Sequence, residues 1–217
     1  MSGGQDPEAF IRANTAVDAP PLVPEIRLHL ATEMTPIWHA TEETLAQNNL
    51  PPPYWAFPWV GGQALARYLL DRPETVRGRR VLDFGAGSGI VSIAAARSGA
   101  AEAVAAEIDR FAAAAIALNA ALNGVAVAVE TADVIGAVVP QEIILCGDVC
   151  YERPMADRLT AWLRERAAAG ATVLLGDPGR TYLPKTGLEP LARYRVPTTL
   201  ELEDRDMRDA VVWRMAS

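Results

Sequence analysis

A run of glycines, Gly85-Ala86-Gly87-Ser88-Gly89, directly follows Val81-Leu82-Asp83-Phe84, and three further carboxylates, Glu107, Asp133 and Asp148, stand at or just past the ends of later apolar runs. Glycines let a strand-to-helix turn pass close to a ligand with no Cβ in the way, and the helix that follows aims unpaired amides at it. A carboxylate at Asp83 repels a pyrophosphate but can hold the amino group of a methionine moiety. The spacing G-x-G-x-G also differs from the dinucleotide fingerprint G-x-G-x-x-G. Glu107, about 20 residues past the glycines, suits both hydroxyls of a ribose. Asp133 suits the exocyclic amine of adenine. Asp109, beside Glu107, reads instead as the cap of a helix starting at Arg110.

These residues need a scaffold that brings strand ends together, and the hydrophobic pattern supplies one. Apolar strand segments at 81–84, 103–107, 125–130, 143–148 and 172–175 alternate with helical segments at 88–98, 110–122 and 155–169. Such alternation predicts a mostly parallel, doubly wound α/β sheet with right-handed crossovers and a ligand outside the strands' carboxyl ends. Segments 194–200 and 210–214 read as an antiparallel pair, completing seven strands. Upstream, Pro7 to Asn14 suits a short helix, and Ile26, Leu28 and Leu30 alternate with polar residues as a strand with one buried face. Thr41 opens an acidic helix start ending at Asn48-Asn49, and Pro51-Pro52-Pro53 is a stiff linker. The aromatic cluster Tyr54-Trp55-Ala56-Phe57-Pro58-Trp59 leads into a helix at 61–70. Trp55 and Trp59 read either as ligand-facing surface or as ordinary core. The expected organisation is a single domain, with residues 1–60 an extension packed on a core of 61–217.

Composition narrows the partners. A formal charge of −7 over 217 residues offers no basic stripe for phosphate contacts, so no nucleic-acid substrate is expected. Cys146 and Cys150 with two histidines make neither a disulfide framework nor a metal site. No apolar run reaches the roughly 20 residues that span a bilayer, and the first residues lack the pattern of a signal peptide. A cytoplasmic monomer without membrane contact is the expectation.

The glycine turn with Asp83, Glu107 and Asp133 resembles the class I methyltransferases that use S-adenosylmethionine, over Arg80 to Leu175. At the end of the fourth strand, Gly147-Asp148-Val149-Cys150-Tyr151-Glu152 carries a D-x-x-Y that looks like the seven-strand enzymes modifying protein lysines. The run from Pro53 to Leu65, together with Gly176-Asp177-Pro178-Gly179-Arg180, is similar to the electron-transfer-flavoprotein β-subunit lysine methyltransferases, over about Pro24 to Trp213. The resemblance implies a Rossmann-like methyltransferase fold and S-adenosylmethionine as methyl donor, bound by Trp59, Asp83, Gly85, Gly87, Glu107, Asp133 and Asp148. It also implies catalysis through Asp148, which would bind and orient the amine, and Tyr151, which would wall a lysine channel or accept from the amine. The implied partner is the flavoprotein β subunit; a small-molecule N-methyltransferase with a nicotinamide-like acceptor is the alternative. For Asp177 and Arg180 two roles stay open: contact with the substrate protein, or holding the loop after the fifth strand.

Overall fold

The computed structural model describes residues 6–32, 35, 52–198 and 206–216. The acidic helix start at Thr41, the Asn48-Asn49 pair and Pro51 fall outside them. Asp6 accepts the amide of Glu8 and Pro7 fixes the first turn, which starts helix α1 (Pro7–Asn14). An antiparallel hairpin of β1 (Ala16–Asp18) and β2 (Leu28–Leu30) follows. His29 was expected on an exposed face of β2, yet both faces of that strand are buried. Its backbone amide donates to Asn119 Oδ1 at 2.8 Å, and one helical turn further on Asn123 exchanges two hydrogen bonds with the backbone of Arg27. A pair of asparagines four apart thus stands in for a neighbouring strand and satisfies backbone groups that burial would leave unpaired.

The main sheet has seven strands: β3 (Arg80–Phe84), β4 (Glu102–Ala106), β5 (Ala128–Glu130), β6 (Ile143–Gly147), β7 (Thr172–Asp177), β8 (Leu188–Pro197) and β9 (Met207–Met215). Their order is β5-β4-β3-β6-β7-β9-β8, with only β9 antiparallel to its neighbours on both sides. The order reverses between β3 and β6, the place where such sheets open a crevice at their carboxyl ends. Helices α2 (Val60–Asp71), α3 (Ile90–Arg97), α4 (Arg110–Leu122) and α5 (Arg153–Ala168) cover it. Strand alternation sorts the core into layers. Val81, Ile143, Leu145 and Leu174 meet α2 and α3 on one face, while Leu82, Ile144, Cys146 and Leu175 meet α5 on the other.

Several boundaries differ from the sequence pattern, two of them for reasons visible in the structure. β5 begins at Ala128 because Val125 still donates to Ala120 and helps close α4. The terminal hairpin starts at Leu188, six residues before the expected strand at 194. Pro190 hid this extension, since proline is tolerated on an edge strand, and here the register shifts between Pro190 and Ala192.

Candidate active site

The carboxyl ends of β3, β4 and β6 open into a cavity of about 400 Å³, within the range of roughly 300–1,000 Å³ typical of small-molecule sites. One half is built by the glycine turn. Gly87 has φ of 54°, and a Cβ there would have Trp55 Cα as its nearest neighbour at 4.0 Å, so the position is left open for a ligand. Glu107, just past β4, lines the cavity. Its two oxygens accept from the amides of Gly87 at 3.0 Å and Asp109 at 3.1 Å, tying the turn to the start of α4. Burial raises its pKa, and those amides pull the other way. Carboxylate oxygens have further lone pairs for a diol. Asp109 caps α4 by accepting from Phe111 at 2.8 Å, as the sequence indicated. Asp133 also lines the cavity, accepting from Ile135 and pairing with Arg158 at 2.9 Å.

Asp83 departs from expectation. It shares the strand face of Val81, so alternation turns its side chain toward α3 and not into the cavity. Asp83 is 1% exposed, and its Oδ2 accepts from both the amide (2.9 Å) and the hydroxyl (2.5 Å) of Ser92. Desolvation drives its pKa up to about 7, against the two Ser92 bonds. The contact expected with a ligand amino group is therefore replaced by a structural one: Asp83 anchors the first turn of α3 and, through it, the glycine turn.

The other half of the cavity centres on Asp148, just beyond β6. Among the described residues it is the non-glycine residue with positive φ, at 57°, a conformation that aspartate tolerates better than most. It is buried, and both oxygens are held. Oδ2 accepts from the Gly62 amide at 2.8 Å, and Oδ1 accepts from Arg180 at 2.9 Å (Nη2) and 3.3 Å (Nε). Burial raises the Asp148 pKa to about 6, with Arg180 the largest opposing influence.

Gly62 reaches Asp148 because backbones cross almost without side chains between them. A Cβ on Gly61 would run into the Gly176 carbonyl and come within 2.7 Å of Asp148 Oδ2; one on Gly147 would stand 2.9 Å from Gly62 Cα. The start of α2 is thereby pressed onto the ends of β6 and β7, where its free amides face a carboxylate. Sequence reasoning missed this contact, and its signal was the glycines at 61, 62, 147 and 176.

Aromatic side chains form the rim. Tyr151 is 52% exposed and packs 5.7 Å from Tyr54, centroid to centroid, while Trp59 lies 6.0 Å from Tyr54 and donates its Nε1 to the Tyr54 carbonyl at 2.7 Å. The two tryptophans divide the roles left open for them only in part, since both line the cavity. Trp55 is buried and also belongs to the cluster between α1 and α4, whereas Trp59 is half-buried with Arg180 over its ring. Asp177 and Arg180 divide as well. Asp177 Oδ1 accepts from the amides of Gly179 and Arg180 at 2.6 and 2.7 Å and so holds the loop, while the Arg180 side chain crosses to Asp148.

The seven-strand order, the glycine turn and a carboxylate at the end of the fourth parallel strand define a Rossmann-like methyltransferase. Solved structures share the arrangement. Magnesium protoporphyrin IX methyltransferase from Synechocystis, with bound S-adenosylmethionine, aligns with a TM-score of 0.54 at 16% identity over 84% of this chain and 88% of that one. The ribosomal protein L11 methylase of Lactobacillus delbrueckii aligns at 0.51 and 20% identity over 74% and 81%. The family model for ribosomal protein L11 methyltransferase (PrmA) matches residues 64–148. More of the chain is matched by the electron transfer flavoprotein β subunit lysine methyltransferases. The Xenopus laevis member is 39% identical over 95% of this chain and 86% of its own length; the human one is 36% identical over 96% and 82%. The chain belongs to this family of lysine methyltransferases.

Proposed function

We propose that this enzyme transfers methyl groups from S-adenosylmethionine to lysine side chains of the electron transfer flavoprotein β subunit. The observation that carries the reading is a buried carboxylate, Asp148, on the wall of the same cavity that Gly87, Glu107 and Asp133 line. The donor set fits the nucleoside: Glu107 keeps lone pairs for the ribose diol, Asp133 reaches the cavity beside it, and the open Gly87 lets a ligand lie against backbone. When bound, S-adenosylmethionine supplies a methyl group to the lysine lone pair; the N–C bond forms as the C–S bond breaks, the electrons stay on sulfur, and the nitrogen sheds a proton.

The protein's share is recognition, aim and proton management. A lysine of pKa about 10.4 is almost wholly protonated near neutrality, which costs roughly 4–5 kcal/mol before its lone pair is free. Asp148 accepts from the amine and points it, so alignment supplies much of the acceleration. Tyr151, Tyr54 and Trp59 flank the approach with faces suited to an alkyl-ammonium chain. The half-exposed rim at Tyr54 and Tyr151 favours a side chain presented by a protein over an enclosed small molecule. The buried free thiols of Cys146 and Cys150 suit a reducing, cytoplasmic location, with the enzyme acting as a monomer.

The direct test incubates enzyme, S-adenosylmethionine and purified electron transfer flavoprotein, then reads intact masses. Whole-methyl increments on the β subunit that map to lysines support the reading. An unmodified β subunit, with methyl transfer only to a pyridine such as nicotinamide, contradicts it.

A further inference from the structure

The acceptor carboxylate does not meet its substrate as a bare charge. Arg180 places two nitrogens on Asp148 Oδ1, at 2.9 and 3.3 Å, and its side chain is only 20% exposed. Its backbone is fixed by Asp177 Oδ1, and its guanidinium stands 5.8 Å over the Trp59 ring. Held at both ends and walled by an aromatic face, it is built as a fixed positive charge. Arginine suits that purpose because it keeps its proton throughout the range in which a lysine titrates.

A lone carboxylate beside the substrate amine poses a problem. It attracts the ammonium form, and so holds on to the proton that has to leave before methyl transfer. From this geometry we infer that Arg180 is a positioning residue for the proton: it neutralises Asp148 so that Asp148 orients the lysine amine without raising its pKa. The inference rests on the lysine-methyltransferase reading above and adds to it a reason for the Gly-Asp-Pro-Gly-Arg loop. Asp148 keeps lone pairs for an N–H donor even with Gly62 and Arg180 attached, while the net charge of the Asp148–Arg180 pair is near zero.

Other charged and titratable groups surround the pair. Asp177 comes from the end of β7, Cys150 and Tyr151 from the segment after β6, and Glu107 and the Asp133–Arg158 pair stand across the cavity. Asp177, which faces Arg208 of β9 as well as Arg180, and Glu107 push the same way as a bare Asp148 when ionised. Asp133 is already paired. Among the described residues, Arg180 is therefore the cation placed directly against the acceptor carboxylate.

The test is a steady-state pH profile of kcat and KM on the electron transfer flavoprotein, comparing wild type with Arg180→Gln and Arg180→Lys. Donor-product binding serves as a check that each variant is folded. Gln keeps hydrogen bonding but removes the charge, so the acid limb of kcat should move to higher pH by about one unit or more, with a rate about tenfold lower on that limb. KM should stay level or fall, because the site attracts the ammonium more strongly. Lys keeps the charge and should hold the limb close to its wild-type position. An Arg180→Gln profile that does not move, or a change confined to a higher KM, overturns this inference alone. Wild-type enzyme that leaves the flavoprotein unmethylated at every pH overturns the substrate assignment and this inference with it.

Discussion

The two halves of the cavity are assembled in different ways. The donor-side half is local: Gly85, Gly87 and Glu107 sit on one strand–turn–helix–strand unit, and their contacts span about one such unit, as from Gly87 to Glu107. The acceptor-side half is collected from distant segments, with the start of α2 and the loops after β6 and β7 meeting at one carboxylate. The PrmA match ends at Asp148, so it takes in the first half but not Tyr54–Gly62 or Asp177–Arg180; the flavoprotein-specific relatives match both. The residues matched more widely are thus those of the glycine turn and Asp148, while the segments that reach Asp148 from either side fall within the longer match alone.

The comparison can be broken most sharply at Asp148. Asp148→Ala should lower the single-turnover rate by about 10³-fold through lost aim, with donor-product affinity within about threefold of wild type. A parallel loss of affinity, read by calorimetry, would show that the two halves are not separable.

The next effect lies in stability and belongs to the donor side. The pKa of Asp83 rises from its ordinary 3.8 to about 7 on folding, so between those values the folded state binds a proton that the unfolded chain does not. Stability should therefore fall as pH rises from about 4 to about 7, by no more than about 4 kcal/mol at 1.36 kcal/mol per pH unit. Asp83→Asn should flatten that slope while still accepting from Ser92. Chemical denaturation at a series of pH values checks it; an unchanged slope would place the charge burden elsewhere.

Gly61→Ala tests the backbone crossing that builds the acceptor half. The added methyl meets a carbonyl and a carboxylate and not a flexible side chain, so a loss of about 3 kcal/mol in unfolding free energy is expected. A variant as stable as wild type would mean that the crossing is looser than drawn. The smallest effect is expected from Gly87→Val, which combines a strained φ with a side chain in the ligand's path. It should weaken donor binding by about 30-fold, or roughly 2 kcal/mol, and leave the saturated rate nearly intact.

The same division explains what could be read in the sequence. The parallel sheet, the α4 boundaries, the Asp109 cap and the terminal antiparallel pair follow from periodicity and local turn chemistry, which short windows of residues carry. Asp83 was misjudged because a glycine-rich turn indicates that a ligand is near, but strand phase decides which face the preceding side chain takes. The Gly62 amide and the Arg180 guanidinium lie 86 and 32 residues from Asp148 in sequence. Nothing in the local pattern joins them. Only the small residues at 61, 62, 147 and 176 hint that backbones approach there, and they do so without saying which ones meet.

Calorimetric titration with S-adenosylhomocysteine is the most direct measurement of the central claim, that one cavity holds a donor site and a separate acceptor carboxylate. Wild type and Asp148→Ala should bind it about equally and Gly87→Val markedly less. Well-folded wild-type protein that gives no binding heat across temperatures would contradict the account.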